Sequence, residues 1–247
     1  MKESRPAMTR LSVSSEIFDA FPDVLVGVVA FQGVQNAGES DGLVELLRAE
    51  EDEAMRRLDG AGVAIAEHPH VAPWRDAYRK FGAKPKDHPS SIENLLRRVG
   101  KGHRLPHVNR LVDLYNAASL RHLVPVGGED LDAVDGDVEL RFATDREPAV
   151  RLLGEPEESS RPPRAGEVIY ADRLGALCRR WNWKEADRTR LTEATTRGFL
   201  VVEGLPPVDR PRLEAALANL AELVAAHCGG IRRTFVLDRG RREAPID

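Results

Sequence analysis

Seven histidines and two cysteines are the side chains with which this chain could bind a metal or form a covalent intermediate. Two pairs of histidines are close enough in sequence to share one face: His68 with His70, and His103 with His107. The His-Glu-x-x-His spacing of a helical zinc site does not occur, and Cys178 and Cys228 have no Cys or His at metal-ligand spacing. We therefore interpret the paired histidines as contacts to solvent or phosphate, and we predict no metal, no cofactor and no disulfide framework.

Familiar catalytic loops are missing from the sequence. Neither a Gly-x-x-x-x-Gly-Lys-Ser/Thr loop nor a Gly-x-Gly-x-x-Gly loop after the first predicted strand is present, which argues against nucleotide-phosphate binding by those routes. The Gly-x-Ser-x-Gly turn that presents a serine nucleophile does not occur either. If the chain is an enzyme, its sequence announces no covalent nucleophile.

Positive charge is concentrated in residues 75–110, the basic block, although the chain has 36 Lys and Arg against 40 Asp and Glu. The block holds ten Lys or Arg against three acids, whereas residues 129–158 hold eleven acids against three arginines. Contacts to RNA phosphates require several cations on one face, although a solvated helix face would have the same composition. The predicted RNA-binding residues are Arg79, Lys80, Lys84, Lys86, Arg97, Arg98, Lys101 and Arg104.

Length and composition limit the class of protein. A chain of 247 residues with 42% apolar content can bury the core of one large domain or of two small ones. Its first residues lack the apolar segment of a signal peptide, and no stretch approaches the roughly 18 continuous apolar residues of a membrane span. We predict a cytoplasmic protein without membrane contact. Its formal charge of -4 argues against a polycation of the histone kind, so we expect no DNA partner.

Two helices are predicted within the basic block. Ser90 and Glu93 match a capping box ahead of apolar residues spaced three and four apart, which predicts a helix that ends near Gly100. A second helix is predicted after Pro106. Its inward side chains are Val108, Leu111, Val112 and Tyr115, and its polar stripe is Asn109, Asp113 and Asn116. Such a stripe is unusual for a helix this apolar.

Apolar runs of β type predict the sheet. Residues 24–31 form a valine-rich run bounded by Pro22 and Gly33, and a helix is predicted after it over residues 41–58. Later runs lie at residues 138–143, 149–153, 167–171, 199–205 and 231–237. A helix over residues 210–230 precedes the last run, and residues 159–166 are predicted as a loop. This order predicts a single α+β domain with a mixed β-sheet and flanking helices.

The segment Arg-Arg-Trp-Asn-Trp at residues 179–183 has two interpretations. If the segment is extended, Trp181 and Trp183 point to one side of it and Asn182 points to the other. The two rings then either cover the core or stack on a base, and Asn182 faces the opposite side, where a pocket could lie.

Residues 104–132 and 178–205 together resemble the B3/B4 domain, the tRNA-binding and editing module of the phenylalanyl-tRNA synthetase beta subunit. The resemblance is carried by Asn-Arg-Leu-Val-Asp-Leu-Tyr-Asn at residues 109–116 and by a Thr-rich segment before an apolar strand that ends in Glu203. It predicts a B3/B4-like core at about residues 73–237 and an N-terminal strand–helix extension at residues 1–72 within one domain. Nothing resembles the synthetase's aminoacylation core, so the resemblance implies an editing module and not a complete ligase.

The resemblance implies a pocket that accepts the 3′ end of a mischarged tRNA and hydrolyses its ester, chiefly a tyrosyl ester on phenylalanine tRNA in the synthetase. A positioned water can attack such an ester without a side-chain nucleophile, while donors stabilise the developing oxyanion. Glu203 matches the family's pocket glutamate and is expected to orient that water or bind the substrate amine. Gly127 stands where the family's pocket histidine would be, so we expect a pocket that is roomier and less polar there.

The resemblance also places further residues around the pocket. The expected substrate-binding residues are Asn109, Asn116, Gly127, Gly128, Asn182, Thr195 and Thr196. Local hydrogen bonds within helices and turns would account for the asparagines equally well. The predicted activity is a trans-editing hydrolase acting on aminoacyl-tRNA. Two alternatives stay open: a noncatalytic module that binds RNA or an amino-acid ligand, and an enzyme that acts on a free amino-acid derivative. The sequence leaves open which amino acid and which tRNA are recognised, and what the oligomeric state is.

Overall fold

The computed structural model describes residues 8–247, so the first seven residues of the predicted N-terminal extension lie outside the described part. In this range the chain forms six α-helices: α1 Ser15–Ala20, α2 Leu43–Ala61, α3 Ala72–Lys80, α4 Ser91–Val99, α5 Arg110–His122 and α6 Arg210–Cys228. It also forms ten strands: β1 Arg10–Val13, β2 Leu25–Gln32, β3 Val126–Asp130, β4 Val138–Phe142, β5 Val168–Asp172, β6 Gly175–Arg179, β7 Lys184–Glu185, β8 Arg197–Gly204, β9 Ile231–Leu237 and β10 Glu243–Pro245. The predicted α+β class is confirmed.

The strands are divided between two sheets. A four-stranded antiparallel sheet has the order β3-β8-β2-β9, and a six-stranded sheet has the order β10-β1-β4-β5-β6-β7. Only the six-stranded sheet is mixed, because β1 pairs with β4 in parallel while its other strand pairs are antiparallel. The run predicted as the first buried strand is β2, which lies inside the four-stranded sheet between β8 and β9.

The two inner strands of the four-stranded sheet, β2 and β8, are buried on both faces, which explains why they are continuous apolar runs rather than alternating ones. Val29 and Leu200 pack under α5 and α6 in one apolar cluster. Val28, Phe199 and Val201 belong to a second cluster, which includes residues of the six-stranded sheet and of α1, α3 and α4. Side chains of a strand alternate between its faces, so residues 199, 201 and 203 of β8 all point into the layer between the two sheets.

One helix starts at its predicted cap, and two start at other residues. The Ser90 hydroxyl accepts a hydrogen bond from the Glu93 amide, 3.4 Å away, so α4 begins where the capping box predicts. The Asn109 side chain caps α5, which therefore starts three residues later than Pro106 suggests and leaves Val108 outside the helix and exposed rather than inward. The predicted cap of α2 at residues 40 or 41 is replaced by Gly42 in a left-handed conformation.

One predicted strand does not form, and one strand forms that was not predicted. In both cases tertiary pairing overrides the local sequence pattern. Residues 149–153 are not a strand, since only Val150 and Leu152 form isolated bridges. Conversely β3, with the sequence Val-Gly-Gly-Glu-Asp, is a strand that its composition disfavours, because Gly and acids have low β propensity. Within the described residues no helix is long and apolar enough to cross a membrane.

Candidate functional site

A cavity of about 280 Å³ lies between the two sheets, on the face of β8 that carries residues 199, 201 and 203. Strand β3 lies beside β8 and lends Gly127 and Glu129 to the same wall. Tyr170 of β5 and Cys178 of β6 form the opposite wall. The exposed side chains of Asn94 and Leu153 also line the cavity and mark the edge where it reaches solvent.

Glu203 is almost fully buried in this cavity, with 1% of its surface exposed, and neutral donors surround its carboxylate. Its Oε1 accepts hydrogen bonds from the Tyr170 hydroxyl and from Trp181 Nε1, each at 2.6 Å, and its Oε2 accepts one from Asn182 Nδ2 at 2.8 Å. Asn182 is held in turn by the Tyr78 hydroxyl, which donates to Asn182 Oδ1 at 2.8 Å. Burial raises the pKa of Glu203, while the three donors act in the opposite direction. The result is a rigid carboxylate whose Oε2 keeps a lone pair free.

Two further carboxylates line the same cavity, and neither was predicted as a site residue. Glu129 is buried, and its Oε2 has no hydrogen-bond partner among the described residues. Burial, followed by the charge of Glu185, raises the pKa of Glu129 well above its usual range. Glu185 is half-buried at the cavity wall. Loss of solvent around its carboxylate raises its pKa to about 7, although a backbone hydrogen bond from Gly128 acts in the opposite direction. The period of two in a strand would have placed Glu129 beside Gly127, but that signal depends on recognising β3 as a strand.

The two predicted glycines have different roles. A Cβ on Gly127 would lie 3.5 Å from Glu185 Oε1, so the space at this position faces a carboxylate. The expectation of a pocket less polar there than with a histidine stays a prediction. A Cβ on Gly128 would collide with Leu200 and lie 2.6 Å from the Phe199 carbonyl oxygen, so Gly128 allows β3 to approach β8 closely.

The other predicted substrate-binding residues are split between the cavity and the body of the protein. Asn116 and Asn182 line the cavity. Asn109 lies outside the lining, because its side chain caps α5 and donates to the Leu191 carbonyl at 3.1 Å. Thr195 donates its hydroxyl to Asp130 at 2.6 Å and is buried away from the cavity, and Thr196 is exposed on the surface.

The Arg-Arg-Trp-Asn-Trp segment is a turn between β6 and β7 and not an extended strand. Arg180 and Trp181 have positive φ values of 49° and 66°, which reverse the chain. As a result Trp181 and Asn182 both point to Glu203, so the predicted alternation of their side chains is wrong. Trp181 is fully buried against Phe21 and Trp74, as expected for a ring that covers the core.

Cys178 is the thiol of this site. It lines the cavity, but burial raises the pKa of its thiol well above the usual range, which keeps it protonated near neutral pH. The carboxylates are therefore better placed than this thiol to act as bases. In the part of the chain that the structure describes, no group of three or more His, Cys, Asp or Glu side chains is placed to hold a metal ion.

Much of the basic block is already paired within the protein. Arg79 pairs with Asp76, Arg97 pairs with Glu93 at 2.7 Å, and Arg104 contacts both Glu51 and Asp52. Two other predicted contacts donate to backbone carbonyls: Lys80 to Ala20 and Arg98 to Arg104. Within residues 8–247 no ion pair involves the exposed side chains of Lys84, Lys86 and Lys101.

A small cleft of about 180 Å³ adjoins the turn after β6 and brings Lys84 together with two arginines from later in the chain, Arg164 and Arg180. The Arg180 guanidinium lies 4.4 Å from the centre of the Trp183 ring and has no carboxylate partner among the described residues. Two acids, Asp87 and Glu167, also line the cleft, but Glu167 forms a two-point ion pair with Arg179 at 2.8 Å. These two arginines were missed because they lie far outside the basic block in sequence.

Trp183 joins the cavity to this cleft. The indole lines the cavity, and it contacts both Arg180 and His88 of the cleft. Burial and the charge of Arg180 lower the pKa of His88, so this imidazole is mainly neutral at pH 7 and adds little positive charge. The acidic cavity and the basic cleft are thus neighbours across one side chain.

Comparison with known proteins identifies a matching family and a similar solved structure. Residues 73–229 match the family model described as the B3/4 domain. No curated protein sequence matches the chain. A crystal structure of an N-terminal fragment of the phenylalanyl-tRNA synthetase beta subunit from Pyrococcus horikoshii aligns with a TM-score of 0.46 and 14% identity, over 93% of this chain and 51% of that one. The chain therefore spans about half the length of that fragment.

Proposed function

The chain belongs to the B3/4 domain family, whose model matches more than half of its residues, and we propose that it binds aminoacyl-tRNA and deacylates a mischarged or nonstandard aminoacyl ester. The resemblance found in the sequence is thereby confirmed at the level of the family. The proposal rests above all on Glu203, a carboxylate fixed by three neutral donors inside a cavity large enough for an amino acid. Such a group is positioned before substrate arrives, which is what catalysis by orientation requires.

In the proposed reaction a water molecule attacks the ester carbonyl. Glu203 Oε2, which has a free lone pair, orients this water and accepts its proton as the carbon–oxygen bond forms. The tetrahedral intermediate then expels the ribose oxygen, which takes the proton held by Glu203 and leaves as the free 3′ hydroxyl of the tRNA. The α-ammonium group of the substrate activates the ester and is held by Glu185, which lies at the same cavity. The products are a free amino acid and an uncharged tRNA.

The tRNA backbone is proposed to follow the basic cleft. Lys84 and Arg180 are cations without a carboxylate partner in the described part of the chain; both line the cleft, and Arg180 contacts Trp183 of the cavity wall. Phosphates near the 3′ end would therefore be held within reach of the ester that enters the cavity. Lys86 and Lys101 would extend this contact along the exposed surface.

A deacylation screen over a panel of misacylated tRNAs tests the proposal. We expect single-turnover hydrolysis of at least one ester, and we expect Glu203→Gln to slow it while tRNA binding by filter retention is unchanged. Glu222→Gln is a matched control, because this glutamate is exposed on α6 and does not line the cavity. Salt-dependent tRNA binding without cleavage of any ester would contradict the hydrolase and favour the noncatalytic binding module.

A further inference from the structure

The cavity contains more acidic groups than its proposed reaction uses. Glu129, Glu185 and Glu203 all line it, whereas among the described residues its one basic lining residue is Lys184, whose ammonium pairs with Glu155 at 2.7 Å. Glu203 is satisfied by three donors from the protein. Glu129 is not: its buried Oε2 lacks a hydrogen-bond partner in the described residues, and the nearby Thr189 hydroxyl, which lowers the pKa of Glu129, is itself buried without a partner at normal hydrogen-bond distance. A buried carboxylate oxygen without a partner is costly and rare in folded proteins.

An ordinary aminoacyl ester would leave Glu129, which its raised pKa keeps protonated near pH 7, without a cation to pair with. An amino acid with a neutral side chain brings a single cation, the α-ammonium group, which one carboxylate suffices to bind. Two of the three carboxylates, Glu129 and Glu185, lack the cage of donors that surrounds Glu203. Once Glu185 holds the α-ammonium, Glu129 would remain buried and unpaired. A second cation on the substrate would remove this imbalance.

We propose that the cavity selects an amino acid with a basic side chain, and that Glu129 binds its terminal ammonium group. Glu129 is the deeper of the two free carboxylates: it is 4% exposed, whereas Glu185 is half-buried. A side chain that enters past Glu185 therefore meets Glu129 last. This inference rests on the proposed function for the identity of the ligand as an aminoacyl group, but ligand binding can be measured without any cleavage.

The ionisable groups around Glu129 support the same selection. The ionisable groups near Glu129 are Tyr115 of α5, Tyr170 and Asp172 of β5, Cys178 of β6 and Glu185 of β7, while Arg188 and the Thr189 hydroxyl lower its pKa. Burial raises the pKa values of both tyrosines and of the cysteine, so these stay neutral near pH 7. The carboxylates are thus the groups that change charge, and binding of a dication must release protons from them. Affinity for such a ligand should rise as the pH increases from 6 to 8.

Calorimetry with two amides isolates the side-chain ammonium. L-lysinamide and L-norleucinamide have the same α-amine and the same straight chain, but only the first ends in an ammonium group. We expect lysinamide to bind about tenfold or more tightly, since a hydrogen bond to a charged group contributes about 1.5–3 kcal/mol. In Glu129→Gln this preference should fall below about threefold, with norleucinamide affinity unchanged. Titration in two buffers of different ionisation heat should show proton release for lysinamide.

Each outcome decides the inference. Equal affinity for the two amides, or no binding of lysinamide, would overturn it, and so would an unchanged preference in a folded Glu129→Gln protein. If that variant does not fold, Glu185→Gln serves instead, since it should weaken both amides to the same extent and keep the preference. Lysinamide selectivity without cleavage of any tRNA ester would reject the hydrolase and keep this inference. Cleavage of a tRNA ester without a preference for basic amino acids would support the hydrolase and reject this inference.

Discussion

Glu203 and Arg104 show how differently the cavity and the basic block treat a charge. Glu203 is buried and is surrounded by neutral donors, so its charge remains available to a ligand. Arg104 is exposed, and Glu51 and Asp52 already balance it. The basic block gives the strongest charge signal in the sequence, yet much of it is balanced within the fold. The carboxylates of the cavity are scattered in sequence, and the fold concentrates them.

The largest effect is expected from removing the Glu203 charge while keeping its shape. We predict that Glu203→Gln lowers the deacylation rate at least about tenfold, and by about 10² to 10⁴ if Glu203 is the general base. The network can survive this change, because Asn182 can turn its amide over and donate to Tyr78 while accepting from the new glutamine. Single-turnover rates check the prediction, and full activity in this variant would remove Glu203 from the mechanism.

Glu203→Ala should act on stability more than Glu203→Gln does. It leaves the donors of Tyr170, Trp181 and Asn182 without a partner, and each such buried donor costs about 1–3 kcal/mol. We therefore expect Glu203→Ala to lower the free energy of unfolding by about 3 kcal/mol or more, and Glu203→Gln to lower it only slightly. Urea unfolding of the two variants measures this difference, and equal stabilities would show that the donors find water instead.

Cations without an ion-pair partner should affect tRNA affinity, whereas cations paired within the protein should affect stability. Replacing Lys84 and Arg180 with glutamine should weaken tRNA binding and lower the log–log salt slope by about 0.7–0.9 for each phosphate that is no longer neutralised. Replacing Arg97 and Arg104 should leave the slope nearly unchanged but lower stability, because Glu93 and Glu51 are buried beside them. Filter binding at several salt concentrations, with thermal unfolding alongside, checks both results. The opposite pattern would place the RNA on the basic block.

The smallest effect concerns pH. Glu185 binds its proton more tightly in the folded protein, with a pKa of about 7, than at its ordinary value of 4.5. The free energy of unfolding should therefore fall as the pH rises from about 4.5 to 7, and Glu185→Gln should remove this contribution. Because Glu185 borders an open cavity, we expect less than about 1 kcal/mol per pH unit. Urea unfolding at several pH values checks the difference. Glu129 and Glu203 remain in both proteins, and identical pH profiles would contradict the raised pKa.

Local patterns predicted the features that depend on neighbouring residues. The strand β2, the helix α6 and the Ser90 cap of α4 follow from apolar runs, helical spacing and capping chemistry within about twenty residues. The family was also readable, because its motifs are short stretches. Such signals show which side of an element is apolar and where that element begins, and they need no partner from elsewhere in the chain.

The cavity depended on pairing that no local pattern contains. Tyr170, Trp181 and Asn182 lie 33, 22 and 21 positions before Glu203, and they meet it only because the six-stranded sheet stacks on β8. Glu129 enters the same wall because β3, two glycines and two acids among its five residues, pairs with β8. Composition alone disfavours that strand, and the contacts across the sheets stabilise it. The sequence by itself therefore determined the family and the elements with a strong local signal, whereas the tertiary structure decided which charges face one another, since that depends on contacts between residues distant in the chain.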